Sequence, residues 1–169
     1  MFATSYLQEY KQAIARKERQ GTREKQIWHK PPQEVIKLNF DGSVKEVVRK
    51  MGIGVIARNK KGKVMVALQT FVVGTTDPSA IKAHAAYRAL QFAHHMGFTP
   101  IILEEDALNV INKIKTPCPY LLDIGNLIED VKEMMKLFKG CKVQYVKREA
   151  NEAAHLLANS AYLIEEEIY

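Results

Sequence analysis

Three consecutive strand patterns between residues 35 and 73 constrain the fold of this chain more than any other feature. In VIKLNFDG (35–42), the apolar residues Ile36, Leu38 and Phe40 alternate with polar ones, which is the two-residue period of a strand with one buried face. GIGVIARN (52–59) and KVMVALQTFVV (63–73) are strand-like in turn. The pattern predicts an antiparallel meander at the start of the domain.

The turns and polar positions of this meander carry further expectations. Asn59-Lys60-Lys61-Gly62 predicts a tight hairpin turn, because glycine adopts the positive φ that such turns require. On the first strand, the alternation places Asp41 on the polar face, away from the main core.

A helix is expected after the meander. Asp77 and Pro78 have the signature of an N-cap and a first-turn proline, and Gly97 that of the residue after a helix end. The predicted helix covers residues 79–96. Its expected apolar side consists of Ile81, Ala85, Ala89, Phe92 and Met96.

The second half of the chain alternates strands and helices. IILEED (101–106) predicts a buried strand that ends in three acids, Glu104, Glu105 and Asp106. Helices are expected at 107–115 and 121–138, a strand at 141–148, and a final helix from about Asn151. The order βββαβααβα predicts an α/β fold with a mixed five-stranded sheet, three strands antiparallel and two parallel, and helices on its faces.

Composition and charge limit the class of protein. The apolar fraction of 47% and charged fraction of 26% are typical of a globular domain. Residues 1–30 are expected to form a basic leader and linker, and residues 31–166, which begin with the two prolines of WHKPP, the domain. Without a secretory signal or a long apolar run, an intracellular location, nucleus or cytoplasm, is expected. The two cysteines, Cys118 and Cys141, lack the spacing of a zinc site or a disulfide framework.

Five segments together resemble a known family. KLNFDGS, GIGVIARNKKGKV, the helix around KAHAAYRAL, IILEEDALNVI and VKREANEAAHLLANSA are similar, in order, to the plant reverse-transcriptase-like branch of ribonuclease H (RNase H type 1). The resemblance covers about residues 28–164. It implies an RNase H-like fold that binds an RNA/DNA hybrid and cuts the RNA strand, an endonuclease reaction that uses two Mg²⁺ ions held by four carboxylates.

The resemblance also implies which residues form the site. Asp41 matches the first acidic position and Asp106 the third, and both are the expected metal ligands. The second position, normally a glutamate, is matched to His84, and the fourth to His155. The implied catalytic set is therefore Asp41, His84, Asp106 and His155.

Two histidines in a carboxylate site change the expected chemistry. Imidazole is a poor ligand for Mg²⁺, so the substitutions predict weak or absent Mg²⁺-dependent cleavage. Two interpretations follow. The first is an RNase H-like module that binds nucleic acid or protein, and the second is an active metal-dependent ribonuclease. If the four side chains converge, their two oxygens and two nitrogens suit Zn²⁺ or Mn²⁺ better than Mg²⁺.

Each of these residues has a simpler interpretation beside the functional one. Asp41 is also a candidate strand-end acid that only caps the turn at Gly42. Asp106 is also a candidate N-cap for the helix at 107–115. His84 shares a polar stripe with Arg88, Gln91 and His95, as a solvated side chain would, and His155 lies on a polar edge with Glu152, Asn159 and Tyr162.

A net charge of +6 is compatible with a polyanionic partner. The RNA/DNA hybrid implied by the resemblance would be held mainly through its phosphates. Candidate contacts are Lys45, Arg49 and Lys50, then Lys60, Lys61 and Lys63, and finally Lys132, Lys136 and Lys139. A solvated surface is the alternative for each group, and most strongly for the last, because acidic residues lie among its lysines.

Overall fold

The computed structural model describes residues 27–74, 77–116 and 123–169. Of the predicted leader, residues 1–26 lie outside the described part of the chain, as do Cys118 and the first two residues of the helix predicted at 121–138. In the described ranges, no helix is long and apolar enough to cross a membrane.

The strands and helices occur in the predicted order. The strands are β1 (Ile36–Lys45), β2 (Lys50–Arg58), β3 (Val64–Val73), β4 (Ile101–Glu105) and β5 (Cys141–Tyr145). The helices are α1 (Pro78–His95), α2 (Leu108–Lys115), α3 (Asp123–Met135) and α4 (Arg148–Ser160), with short 3₁₀ turns at Glu46–Val48 and Ala161–Leu163.

The five strands form one mixed sheet in the order β3-β2-β1-β4-β5. β1 pairs antiparallel with β2, and β2 with β3, whereas β4 pairs parallel with both β1 and β5. The fold class and the predicted division into antiparallel and parallel strands are confirmed. α1 packs on β1 and against α3, and α4 packs across β1 and β2.

The predicted helix cap and hairpin turn are present in the structure. Asp77 accepts a hydrogen bond from the Ser79 amide at 2.9 Å as the N-cap of α1. Gly97 follows the helix with a φ of 69°. In the β2–β3 hairpin, the Gly62 amide donates to the Asn59 carbonyl at 2.8 Å, and Gly62 has a φ of 79°.

β1 differs from the prediction in being buried on both faces. Leu38 and Phe40 contribute to the main core, as expected. The polar residues Lys37, Asn39 and Asp41 are also buried, at 4%, 0% and 1% exposure, because α4 and the residues before β1 cover the second face. The prediction of a half-buried strand was therefore wrong, and Asp41 lies inside the protein.

Two glycines of β2 allow α4 to approach the sheet closely. A Cβ on Gly52 would lie 1.9 Å from the Ala158 carbonyl oxygen, and one on Gly54 would lie 2.4 Å from that of Ala154. Only glycine leaves room for a helix backbone at these distances. The GIGV segment thus determines how α4 lies over the sheet.

Several predicted boundaries were displaced. α4 begins at Arg148 and not near Asn151, so Arg148 lies in its first turn. The N-cap of α2 is Ala107, which makes no side-chain capping bond. Met96 lies beyond the end of α1 and is 41% exposed, so it does not line the apolar side of that helix.

Candidate active site

Three carboxyl groups meet where β1 and β4 separate. The two strands pair from Ile36↔Ile101 through Asn39↔Glu104, and Asp41, Glu105 and Asp106 follow just beyond the last pair. One oxygen of each of these three side chains lies within 4.8 Å of the others. Such a cluster is compatible with a divalent metal ion, which prefers oxygen ligands.

The ammonium group of Lys82, in the second turn of α1, contacts all three carboxylates. Its Nζ lies 2.5 Å from Asp41 Oδ1 and 3.2 Å from Asp106 Oδ1, and it also bonds Glu105 Oε1. The carboxylates are nearly inaccessible, with side-chain exposures of 1% for Asp41, 0% for Glu105 and 8% for Asp106. Lys82 therefore supplies a positive charge within the cluster.

The charges in the cluster shift one another's pKa values. Burial lowers the pKa of Lys82, but the negative charges of Glu105 and Asp41 outweigh it, so the pKa lies above its usual value. Burial and the neighbouring charge of Asp41 raise the pKa of Glu105 well above normal. Burial also opposes ionisation of Asp41, yet bonds from His155 and Lys82 hold its pKa below the usual value.

Arg148 closes the cluster from the first turn of α4. Its Nη1 lies 2.6 Å from Asp106 Oδ2 and 3.7 Å from Asp41 Oδ2. Although burial raises the pKa of Asp106, the hydrogen bond from Arg148 and the charge of Lys82 lower it overall. Asp106 thus bonds Arg148 and Lys82, and the predicted role as N-cap of α2 belongs to Ala107.

His155 joins the same cluster from the second turn of α4. Its Nδ1 lies 2.7 Å from Asp41 Oδ2, and its Nε2 lies 2.7 Å from Asn159 Nδ2 and 3.0 Å from Arg148 Nη2. The predicted proximity of Asp41, Asp106 and His155 is present in the structure.

The structure does not bring His84 to the cluster. Among the described residues, His84 makes no hydrogen bond or ion pair with the three acids, and burial alone lowers its pKa. Two residues along a helix correspond to a rotation of about 200°, so Lys82 and His84 project in different directions. The α1 side chain that reaches Asp41 and Asp106 is Lys82. The match of His84 to the second acidic position of the family stays a prediction.

Sequence reasoning missed Lys82, Glu105, Arg148 and Asn151 as parts of the site. Asn151 is fully buried, and its amide donates to the Phe40 carbonyl at 2.9 Å and to Glu105 Oε2 at 3.2 Å. An available signal was Asn151 itself, a polar residue one turn before His155 and thus on the same side of α4. No comparable signal distinguished Lys82 from other lysines.

The cluster has enough carboxylate oxygens to bind a divalent metal ion, but these oxygens are already bonded to other side chains. Lys82 contacts all three carboxylates, and Arg148 holds Asp106, so the oxygens that a cation would take are bonded to nitrogen. A metal would require Lys82 to withdraw. The mixed set expected for Zn²⁺ or Mn²⁺ is not assembled, because His84 is not part of the cluster.

The candidate nucleic-acid contacts differ in their surroundings. Lys60, Lys61 and Lys63 are exposed on the β2–β3 hairpin. Lys45 and Lys50 lie over the rings of Tyr162 and Phe71, at 5.0 and 4.1 Å from the ring centres. On α3, Lys132 pairs with Glu129, and Lys136 beyond its end pairs with Glu133, as expected of a solvated surface.

A family comparison agrees with this architecture. The model of the reverse transcriptase-like family matches residues 39–161, which is more than half of the chain. The chain belongs to the reverse transcriptase-like family. No curated protein sequence matches it.

Solved structures similar to this reverse transcriptase-like domain include RNase H proteins. RNase H1 of the archaeon Halobacterium salinarum is 22% identical with a TM-score of 0.67, covering 76% of this chain and 97% of its own. The N-terminal RNase H domain of a Mycobacterium tuberculosis protein is 17% identical with a TM-score of 0.66, covering 75% and 92%. LC11-RNase H1, obtained from compost by metagenomics and solved in complex with an RNA/DNA hybrid, is 16% identical with a TM-score of 0.65, covering 74% and 94%. At these identities the similarity demonstrates a shared RNase H-like fold.

Proposed function

We propose that this chain is an RNase H-like domain that binds RNA/DNA hybrids and cleaves their RNA strand weakly or not at all. The fold and the acidic cluster of Asp41, Glu105 and Asp106 support the assignment to nucleic acid. The exposed lysines of the β2–β3 hairpin are suited to phosphate contacts. We further propose that the domain belongs to the plant, type 1 branch and works inside the cell.

The position of Lys82 is the observation that carries this proposal. Cleavage by two metal ions needs carboxylate oxygens that are available to both cations. Here the Lys82 ammonium contacts each of the three clustered carboxylates. A positive charge at that point repels divalent cations as well as occupying their ligands, so binding of a metal pair is expected to be weak.

A cleavage assay with labelled RNA/DNA hybrid tests the proposal. We expect the unaltered chain to bind the hybrid but to show little or no cleavage in Mg²⁺ or Mn²⁺. Lys82→Glu replaces the ammonium with a carboxylate, and we expect cleavage to increase. His84→Glu is the control, because it also introduces a glutamate, two residues away and outside the cluster.

The results of this assay distinguish an impaired domain from an active ribonuclease. Cleavage by the unaltered chain that Asp41→Asn abolishes would establish the alternative, an active metal-dependent endoribonuclease. Failure to bind hybrid under any condition would refute the nucleic-acid assignment. Cleavage that appears with His84→Glu but not with Lys82→Glu would show that the sequence-based assignment to His84 was the better one.

A further inference from the structure

We propose that the site binds the nucleic-acid backbone without a divalent cation, with Lys82 neutralising the carboxylates and Arg148 presenting positive charge to a phosphate. This inference rests on the proposed hybrid binding. It adds that Arg148 contacts the phosphate and that binding does not require a metal ion. The reason is that the carboxylates, which would otherwise bind metal ions, are already bonded to the ammonium group of Lys82.

Cationic side chains offset most of the negative charge of the carboxylate cluster. A cluster of bare carboxylates repels phosphate unless metal ions neutralise it, because like charges at short range in a protein interior repel strongly. Here the carboxyl groups of Asp41, Glu105 and Asp106 face the cationic side chains of Lys82 and Arg148. Two cations that face three carboxyl groups leave at most one net negative charge, so a phosphate meets much less repulsion than three bare carboxylates would exert.

The side chains of the site are ordered by exposure, with acids at the floor and cations toward solvent. Side-chain exposure increases from 0–1% at Glu105 and Asp41 to 18% at Lys82 and 44% at Arg148. The acids thus form the floor, and the guanidinium lies outermost. A ligand that enters from solvent contacts Arg148 before any carboxylate.

Arg148 has hydrogen-bond donors available for a phosphate. A guanidinium has five N–H donors. In the described part of the chain, Arg148 uses one toward Asp106 and one toward His155, which leaves three. Arginine is well suited to phosphate because two of its donors bind two phosphate oxygens side by side. Asp106 and His155 hold the group at the mouth of the site while those donors stay available.

The test measures binding rather than cleavage. The affinity of the full chain for a fluorescent RNA/DNA hybrid is compared in EDTA and in Mg²⁺ at matched ionic strength, since salt alone changes phosphate binding. We expect the dissociation constants in EDTA and in Mg²⁺ to agree within about twofold. Loss of a contact worth about 1.4 kcal/mol would change the dissociation constant tenfold.

Two variants with a matched control address the residues. Arg148→Ala should weaken binding by about fivefold to tenfold in both buffers, as expected for one lost phosphate contact. Arg88→Ala also removes a partly exposed arginine from an ion pair, with Glu167, but away from the cluster, and its affinity should match that of the unaltered chain. Lys82→Glu should bind weakly in EDTA and regain affinity in Mg²⁺.

Calorimetric titration of the unaltered chain with Mn²⁺ provides a measurement that does not depend on hybrid. We expect no binding heat at micromolar concentrations. Tight Mn²⁺ binding, a tenfold loss of hybrid affinity in EDTA, or an unchanged affinity of Arg148→Ala would overturn the inference while leaving hybrid binding intact. Absence of hybrid binding in both buffers would instead refute the proposed function, and the Mn²⁺ titration would still test the neutralised site.

Discussion

At the scale of single residues, the ammonium of Lys82 balances acids that have almost no contact with water. Asp41 and Glu105 are 1% and 0% exposed, so solvent does little to stabilise their charge. An unpaired charge at such depth is costly, and removing one partner of a buried ion pair is strongly destabilising for that reason. Lys82 is therefore expected to matter for stability as well as for ligand binding.

Replacing Lys82 by methionine, which keeps much of the apolar stem, tests this expectation. We expect the free energy of unfolding at neutral pH to fall by about 3 kcal/mol, the lower end of the range for breaking a buried pair. Urea denaturation measures the change. In Lys136→Met, which breaks an exposed pair with side-chain exposures of 68% and 65%, the loss should be below about 0.5 kcal/mol. Equal losses in the two variants would contradict the importance of burial.

The residues of the site were only partly predictable from the sequence. Asp41, Asp106 and His155 lie in segments with strong strand or helix patterns, so their elements could be placed and the three side chains are indeed close together. The choice between Lys82 and His84 depends on the rotation of α1 about its own axis, which is set by packing against β1 and α3. A single helix pattern with apolar residues on more than one side does not specify that rotation.

At the scale of elements, α4 depends on two glycines of β2. It carries Arg148, Asn151 and His155, so its distance from the sheet also positions one side of the candidate site. Close approach of a helix backbone to a strand leaves no space for side chains at the contact. Gly52 and Gly54 therefore connect the packing of the sheet with the geometry of the acidic cluster.

Substitution of Gly54 by alanine should displace α4. The new Cβ would lie 2.4 Å from the Ala154 carbonyl oxygen and 2.5 Å from the Ala158 amide nitrogen, and both are backbone atoms. We expect a loss of about 3 kcal/mol in the free energy of unfolding, as for other overpacked sites, measured by urea denaturation. Gly140→Ala is the control, because its Cβ would meet only the Pro100 side chain at 3.2 Å. A Gly54→Ala variant as stable as Gly140→Ala would show that α4 does not pack as described.

Burial of the polar face of β1 could not be predicted from its alternating pattern. Polar residues at every second position normally indicate a solvated face, whereas here each has a partner from a distant part of the chain. Lys37 pairs with Glu104 at 2.9 Å, and Asn39 bonds both Glu104 and Arg58. Such partners become evident only when β4 and α4 have been placed.

At the scale of the whole molecule, the residues before β1 are part of the folded domain. Trp28 lies beneath two cations, with Lys37 Nζ at 5.2 Å and the Arg58 guanidinium at 5.0 Å from its ring centre. Lys37 also donates to the His29 carbonyl at 2.6 Å. Trp28 and His29, predicted to lie at the end of a linker, thus cover the buried pair of Lys37 and Glu104.

Removal of the Trp28 ring should therefore destabilise the domain. We expect Trp28→Ala to lower the free energy of unfolding by about 3 kcal/mol, the usual loss for a large aromatic side chain. Trp28→Phe should cost much less, because the indole N–H is buried without a hydrogen-bond partner among the described residues. Thermal unfolding followed by circular dichroism measures both. Ile27→Ala, at a position that is 74% exposed, should behave like the unaltered chain.

The last residues of the chain join the outer edge of the sheet. Ile168 pairs with Gln69 of β3, and the Tyr169 ring stacks on Phe92 at 5.9 Å. Phe92 lies ten residues along α1 from Lys82, a separation of about 15 Å at the rise of a helix. A fluorophore, affinity tag or fused protein attached after Tyr169 would consequently begin well away from the acidic cluster, so labelled material should report on ligand binding without obstructing it.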